Sequence, residues 1–298
     1  MRILCYGSLN IDYTYQVNHF VGKGETLASD SLRQFPGGKG LNQSVALSRA
    51  GATVCHAGAV GSDGGFLIEM LRQSGVDTQF VEVLKQVRTG HAIIQTDTAG
   101  DNCILLHGGA NRIISPTRMD AVLSHFEAGD ILLLQNEING LSHLIRQAHK
   151  KGMKIALNPS PMEKSVLRLP LDLVDLFLIN EVEARQLAQA QGVASIDDLL
   201  TALREKYPQA AVVLTLGSAG AVDDDGETFL RQEAYHVRAL DTTAAGDTFT
   251  GYFLGSRMRG ESVQEAMDLA ARASAISVTR RGAAPSIPWL SEVKKKKL

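Results

Sequence analysis

Cysteine is scarce in this chain, and neither sign of charge dominates. Cys5, Cys55 and Cys103 stand far apart, with no metal spacing between them. So sparse and odd a count excludes a disulfide framework and points to a reducing compartment. Cys5 and Cys55 lie in apolar, strand-like runs that suit buried thiols. A net charge of −2 gives no electrostatic case for a nucleic-acid partner or an anionic membrane. No apolar run approaches the roughly 18–20 residues needed to span a bilayer. The start, Met1-Arg2-Ile3-Leu4-Cys5-Tyr6-Gly7, enters a strand at once and lacks the plan of a signal peptide, so a cytoplasmic protein is expected. The eight histidines show no ligand spacing. No G-x-G-x-x-G follows the first strand, which disfavours a dinucleotide oxidoreductase, and the P-loop spacing is absent. Lys294–Lys297 is a basic run that reads as a solvated tail.

What is present is a βα rhythm. The 298 residues, 44% of them apolar, suffice for one large α/β domain or two smaller ones. Strands are expected over 3–8, 53–60, 91–97, 130–135, 154–158, 176–180 and 210–216. Ile131-Leu132-Leu133-Leu134 and Val212-Val213-Leu214 are continuously apolar, as strands covered on both faces are. Helices are expected over 40–50, 63–74, 116–127, 140–151, 181–191, 196–206, 247–258 and 262–279. Gly51, Gly75, Gly129 and Gly152 follow such segments where a terminating glycine belongs. The pattern predicts a doubly wound, mostly parallel sheet with helices on both faces. Two stretches, about 10–36 and 80–108, break the rhythm. They are expected to form a small antiparallel lid on a single domain covering 1–298. Exposed strand edges there would invite a second subunit.

Three motifs carry chemistry. Residues 241–252 place Ala244, Ala245 and Gly246 just before a helix whose Phe249, Tyr252 and Phe253 share one face. Unpaired N–H groups at such a start form an anion site. Asp247 in the same turn is out of place for anion binding unless it does chemistry. A helix-start carboxylate stabilised by the dipole is the bland alternative. Pro36-Gly37-Gly38-Lys39-Gly40-Leu41-Asn42-Gln43 is either a ligand-approaching glycine loop or a tight turn before a helix. Asn180-Glu181-Val182-Glu183 follows an apolar strand at the end that faces the crevice. Its polar groups suit hydrated Mg²⁺ or simple helix capping. Thr215-Leu216-Gly217-Ser218-Ala219-Gly220 is a nucleotide loop or a turn, and Asn10 and Asp12 follow the first strand.

The ordered pair Gly37–Asn42 and Asp241–Asp247, about 200 residues apart, resembles the two signatures of the ribokinase-like carbohydrate kinases. The likeness runs along nearly the whole chain. It takes in Gly7-Ser8-Leu9-Asn10-Ile11-Asp12, Gly108-Gly109-Ala110-Asn111, Asn158-Pro159-Ser160-Pro161 and the tail from Ser277 to Pro288. It implies transfer of the ATP γ-phosphoryl group to a sugar hydroxymethyl. The form Thr242-Thr243-Ala244-Ala245-Gly246-Asp247 suggests the 5-hydroxyl of D-ribose.

On that resemblance Asp247 is the base, and the N–H groups of Ala244, Ala245, Gly246 and Asp247 form the anion hole. Asn10, Asp12, Gly38, Lys39, Asn42 and Glu137 would hold the sugar. Asn180, Thr215, Gly217, Ser218, Gly220 and Gly246 would hold ATP, with Glu183 organising Mg²⁺ through water. Asp241, Thr243, Ser277, Arg280, Gly282 and Ser286 would form a K⁺ site, several through backbone carbonyls. The lid often builds a homodimer in the family. One departure is that Ala270, Ala271 and Ala273 occupy the zone where a polar residue meets adenine, leaving Arg272 and Ser274 as the polar side chains there. A kinase for another furanose or a nucleoside is the same-class alternative, and a silent sugar-binding regulator is the alternative of another class. The polar set Asn10, Asp12, Lys39 and Glu137 disfavours a nucleoside, whose base wants an apolar slot.

Overall fold

The apolar runs pair side by side. A computed structural model describes residues 1–99, 101–190, 192 and 195–296. Its strands are β1 (Ile3–Tyr6), β2 (Asn10–Gln16), β3 (Ser31–Gly37), β4 (Val54–Gly61), β5 (Asp77–Leu84), β6 (Gly90–Thr96), β7 (Asn102–His107), β8 (Ile131–Gln135), β9 (Lys154–Asn158), β10 (Leu176–Asn180), β11 (Ala211–Thr215), β12 (Ala221–Asp224) and β13 (Phe229–Gln232). Its helices are α1 (Lys39–Arg49), α2 (Gly65–Gln73), α3 (Pro116–Leu123), α4 (Leu141–Lys150), α5 (Glu181–Ala188), α6 (Ile196–Lys206), α7 (Ala245–Met258), α8 (Val263–Ser277) and α9 (Leu290–Lys295).

Nine strands form one sheet in the order β13-β12-β11-β10-β9-β8-β1-β4-β5. The pairs from β5 to β11 are parallel, and β12 and β13 close one edge antiparallel. Successive residues of a strand point to opposite faces, and here they enter two different cores. Leu4, Leu132, Leu134 and Phe177 pack with α3 to α6, including Met119, Leu144, Leu187 and Leu203. Ile3, Cys5, Leu133 and Leu178 pack with α1, α2, α7 and α8, including Leu41, Leu67, Phe253 and Met267. Helices therefore cover both faces, as expected.

Local chemistry explains where the helices begin and end. Ser115 caps α3 with Pro116 in its first turn, and Ser262 with Glu265 closes a reciprocal cap on α8. Of the anticipated 181–191 helix, α5 ends at Ala188, and Gln191 lies outside the described residues. Lys297 of the basic run does too.

The lid is a four-stranded sheet in the order β3-β2-β6-β7. Its outer pairs are antiparallel, but β2 and β6 run parallel. The chain returns from β2 to β6 by way of α1, β4, α2 and β5, and so long a crossover permits parallel pairing. Residues 80–84 lie in β5 at the edge of the large sheet, beside β4. Among the described residues no helix is long and apolar enough to cross a membrane.

Candidate active site

The crevice lies at the carboxyl ends of the parallel strands, where open α/β sheets bind ligands. Asn158, Asn180 and Thr215 end β9, β10 and β11, and all three line a cleft of about 240 Å³. Its other wall is the start of α7, with Thr242, Ala244, Ala245, Gly246 and Asp247. Ala244 caps α7 in the left-handed region, at φ 60°. Its carbonyl accepts from both the N–H and the hydroxyl of Thr248, each at 2.8 Å. Ser274 on α8 adds a hydroxyl bond to the Ala245 carbonyl at 3.1 Å. The Ala245 N–H donates to Thr242 at 3.2 Å. The N–H groups of Gly246 and Asp247 have no hydrogen-bond acceptor among the described residues. They are the donors that this turn leaves for an anion.

Asp247 is 7% exposed. Its Oδ2 accepts from the Asn42 amide at 3.0 Å, and its Oδ1 accepts from the Gln43 amide at 2.9 Å. Asn42 and Gln43 belong to the first turn of α1, which the glycine run Gly37–Gly40 brings over β1. Gly38 has φ 95°, and a Cβ on Gly40 would meet the backbone of Gly7 and Ser8 at 2.4–2.6 Å. Only glycines allow that approach. The Asn42 Oδ1 is buried and makes no hydrogen bond among the described residues. A buried acceptor of this kind suits a ligand hydroxyl.

Of the expected sugar residues, Asn42 bonds Asp247 and Lys39 lines the cleft with it, whereas Asn10, Asp12, Gly38 and Glu137 are not part of the cleft lining. Asn10 is buried and accepts at Oδ1 from Asn111 at 2.8 Å. The Glu137 carboxylate accepts from the Ser8 hydroxyl and from the Lys39 N–H, the latter at 2.9 Å. Asp12 faces Gly37 so closely that a Cβ there would meet its carboxylate at 2.1–2.5 Å. Burial, and then the Glu137 charge, push the Asp12 carboxyl up to about 7. Lys39 also lines the cleft. Burial works against its ammonium, but Asp247, Glu137 and Glu183 outweigh it and hold its proton affinity above the usual lysine range.

The nucleotide set divides. Asn180, Glu183, Thr215 and Gly246 line the cleft, whereas Gly217, Ser218 and Gly220 lie in the turn after β11 and do not. Gly220 has φ 96°, and a Cβ there would strike the Gln232 carbonyl at 2.0 Å, which gives that glycine a structural reason of its own. Asn180 and Glu183 form a reciprocal cap on α5, with bonds of 2.9 and 3.1 Å. The capping alternative therefore holds for them, together with a place in the cleft wall.

The residues of the expected cation set lie in the Asp241 loop and in the segment from the end of α8 to Ser286. The Asp241 carboxylate accepts from the N–H groups of Thr243 and Gly282, both at 2.9 Å, and the Asp241 N–H donates to the Val278 carbonyl at 3.1 Å. Burial raises the Asp241 carboxyl, but the Thr243 and Gly282 donors hold it below the usual range. The Ser277 and Ser286 hydroxyls donate to neighbouring carbonyls, and the Arg280 guanidinium pairs with Glu292. Only backbone oxygen from Arg280 is therefore suited to a cation. Among the described residues no cluster of three or more His, Cys, Asp or Glu could hold a metal ion.

Sequence reasoning passed over Gln43, Gln135 and Asn111 as site residues. Asn111 holds the Leu9 and Asn10 region with three hydrogen bonds, and its only signal was its place after Gly108-Gly109-Ala110. Gln43 had a nearer signal, standing next to Asn42 at the same helix start.

Residues 1–290 match the model of the pfkB family carbohydrate kinases. The ribokinase of Haemophilus influenzae is 36% identical over 293 residues, covering 96% of this chain and 95% of that protein. Among solved structures, a Cryptococcus neoformans ribokinase in complex with ADP aligns with TM-score 0.85 and 32% identity, covering 99% of both chains. A ribokinase of Arabidopsis thaliana complexed with ribose and ATP aligns with TM-score 0.86 and 28% identity, covering 99% of this chain and 97% of that one.

Proposed function

This chain belongs to the pfkB family of carbohydrate kinases, and from that premise we propose that it transfers the γ-phosphoryl group of ATP to the 5-hydroxyl of D-ribose. The observation that carries the reading is the convergence on Asp247. One buried carboxylate stands in the anion-binding turn and is held by the amides of the glycine-rich sugar motif. In the proposed reaction the 5-hydroxyl oxygen attacks the γ-phosphorus, and its proton passes to Asp247. The bond from the γ-phosphorus to the bridging oxygen breaks, and ADP leaves. The Gly246 and Asp247 N–H groups and the Lys39 ammonium face the charge on the moving group. Asn10, Asp12, Asn42 and Glu137 offer amides and carboxylates to a polyol, whose hydroxyls both donate and accept.

Mg²⁺ suits the Asn180–Glu183 corner, because it takes few protein ligands and keeps phosphate oxygens and water. It would supply charge neutralisation at the phosphates. K⁺ suits the turn shared by Asp241, Thr243 and 277–286, which offers carbonyls beside one carboxylate. The apolar edge of the lid supports a homodimer, and three free cysteines support a reducing, cytoplasmic setting.

A coupled ATP-consumption assay over pentoses, hexoses and nucleosides, with and without K⁺, tests the reading. Ribose is expected to give the highest kcat/KM. Turnover confined to another sugar would remove ribose, and tight sugar binding without any turnover would favour the regulator. Asp247→Asn is expected to lose at least about a hundredfold in kcat with little change in sugar affinity. Near-normal turnover in that variant would remove Asp247 as the base.

A further inference from the structure

We infer that Gln43 is a dedicated positioning residue for Asp247 and that Gln135 locks its amide in place, an inference that rests on Asp247 being the base. An ionised carboxylate only accepts hydrogen bonds, so Gln43 must turn its NH₂ toward Asp247, at 2.9 Å. That leaves the Gln43 Oε1 pointing the other way, where the Gln135 NH₂ donates to it at 2.6 Å. Both glutamine side chains are fully buried, and Gln135 also reaches the Cys5 sulfur at 3.6 Å. A flip of either amide would set like groups against each other inside the protein. The relay therefore has one stable setting.

Asn42 holds the other carboxylate oxygen, but its own buried Oδ1 has no partner, which makes it available to a ligand. Gln43 offers nothing to a ligand, because both ends of its amide are engaged within the protein. The two bonds together fix the plane of the carboxylate, and a base so fixed avoids the cost of orienting itself during reaction.

The helix seam keeps this contact in reach. A Cβ on Gly251 would meet the Ala46 Cβ at 2.3 Å, and one on Gly255 would meet the Ala50 Cβ at 2.8 Å. Asp247, Gly251 and Gly255 are spaced one helical turn apart, as are Asn42, Ala46 and Ala50. The seam thus runs in register from the carboxylate along both helices.

The test is steady-state kinetics on Gln43→Met, which keeps the volume and removes the amide. The expected loss in kcat is about 10- to 30-fold, with KM for sugar and for ATP within about threefold of wild type. Unchanged kcat in a folded variant, or a loss carried by KM rather than kcat, would overturn the inference and leave only a structural role. If Gln43→Met does not fold, Gln135→Met replaces it. That variant leaves the bond to Asp247 but frees the Gln43 amide, and it is expected to lose about three- to tenfold in kcat with both KM values little changed. Wild-type kcat in Gln135→Met would likewise overturn the lock. Failure of the underlying reading shows elsewhere: an active Asp247→Asn removes the base, whatever Gln43 does.

Discussion

Asp12 and Asp247 both belong to the expected sugar set, yet their surroundings differ. Asp247 has amide donors on both oxygens, whereas Asp12 sits against Gly37 and near the Glu137 charge, and burial pushes it up to about 7. A carboxyl raised in the folded state favours the fold below its unfolded value, 3.8, and that contribution is lost as pH rises through about 7. The ligand-free Asp12→Asn variant is therefore expected to gain in Tm relative to wild type as pH rises from 4 to 8. A difference in Tm that does not vary with pH would contradict this. A sugar hydroxyl donating to ionised Asp12 stabilises the charged form, so sugar KM is expected to rise as pH falls below 7. Asp12→Asn should flatten that dependence.

Gly246 offers a second residue-scale test. It does not adopt positive φ, and no atom lies within 4 Å of where its Cβ would stand. Gly246→Ala is thus expected to fold normally, with stability changed by no more than about 1 kcal/mol. Gly246 lines the cleft, so an added methyl would take space in front of the turn, and kcat/KM for ATP is expected to fall at least about tenfold. Unimpaired ATP kinetics would argue that the phosphate approaches elsewhere.

At the scale of elements, the seam between α1 and α7 links packing to chemistry. Gly251→Ala forces a methyl to within 2.3 Å of the Ala46 Cβ and 2.7 Å of the Leu47 N. The helices must separate, at a cost of about 1–3 kcal/mol. Because Asp247 lies one turn before Gly251, kcat is expected to fall as well. A variant that loses stability in denaturant titration but keeps full kcat would show that the carboxylate tolerates the shift.

The elements themselves were mostly legible. β8 and β11 are apolar without interruption because helices cover both their faces. β5 was hidden because it is an edge strand with alternating burial, and Asp77–Leu84 carries a strand signal no stronger than a lid piece would. The turn before α7 was legible because its parts are contiguous. The Gln43–Gln135 relay was not. Its partners are 92 residues apart, and neither glutamine has a local pattern that demands a buried polar role.

The whole molecule presents one surface that its own chain leaves uncovered. β7 is the edge of the lid and is exposed along its length, with Ile104 at 57%, Leu105 at 68% and Leu106 at 45%. Across the ladder Leu105 stands beside Ile93 and Leu106 beside Ala92, whose other neighbour is Asp12 on β2. Apolar side chains on both faces of an open edge favour association, and burying each is worth about 1.5–3 kcal/mol. A second copy of the chain would cover this edge and steady the strand that carries Asp12. Sedimentation at micromolar concentration is expected to give twice the 32.1 kDa chain mass. The Ile104→Asp/Leu105→Asp double variant is expected to sediment as a monomer. It should keep its circular dichroism and most of its kcat, because neither residue reaches the cleft. Its sugar KM is expected to rise several-fold, since Asp12 would then sit on a less ordered strand. A wild-type monomer would sink the dimer, and a monomeric variant with unchanged KM would separate assembly from sugar binding.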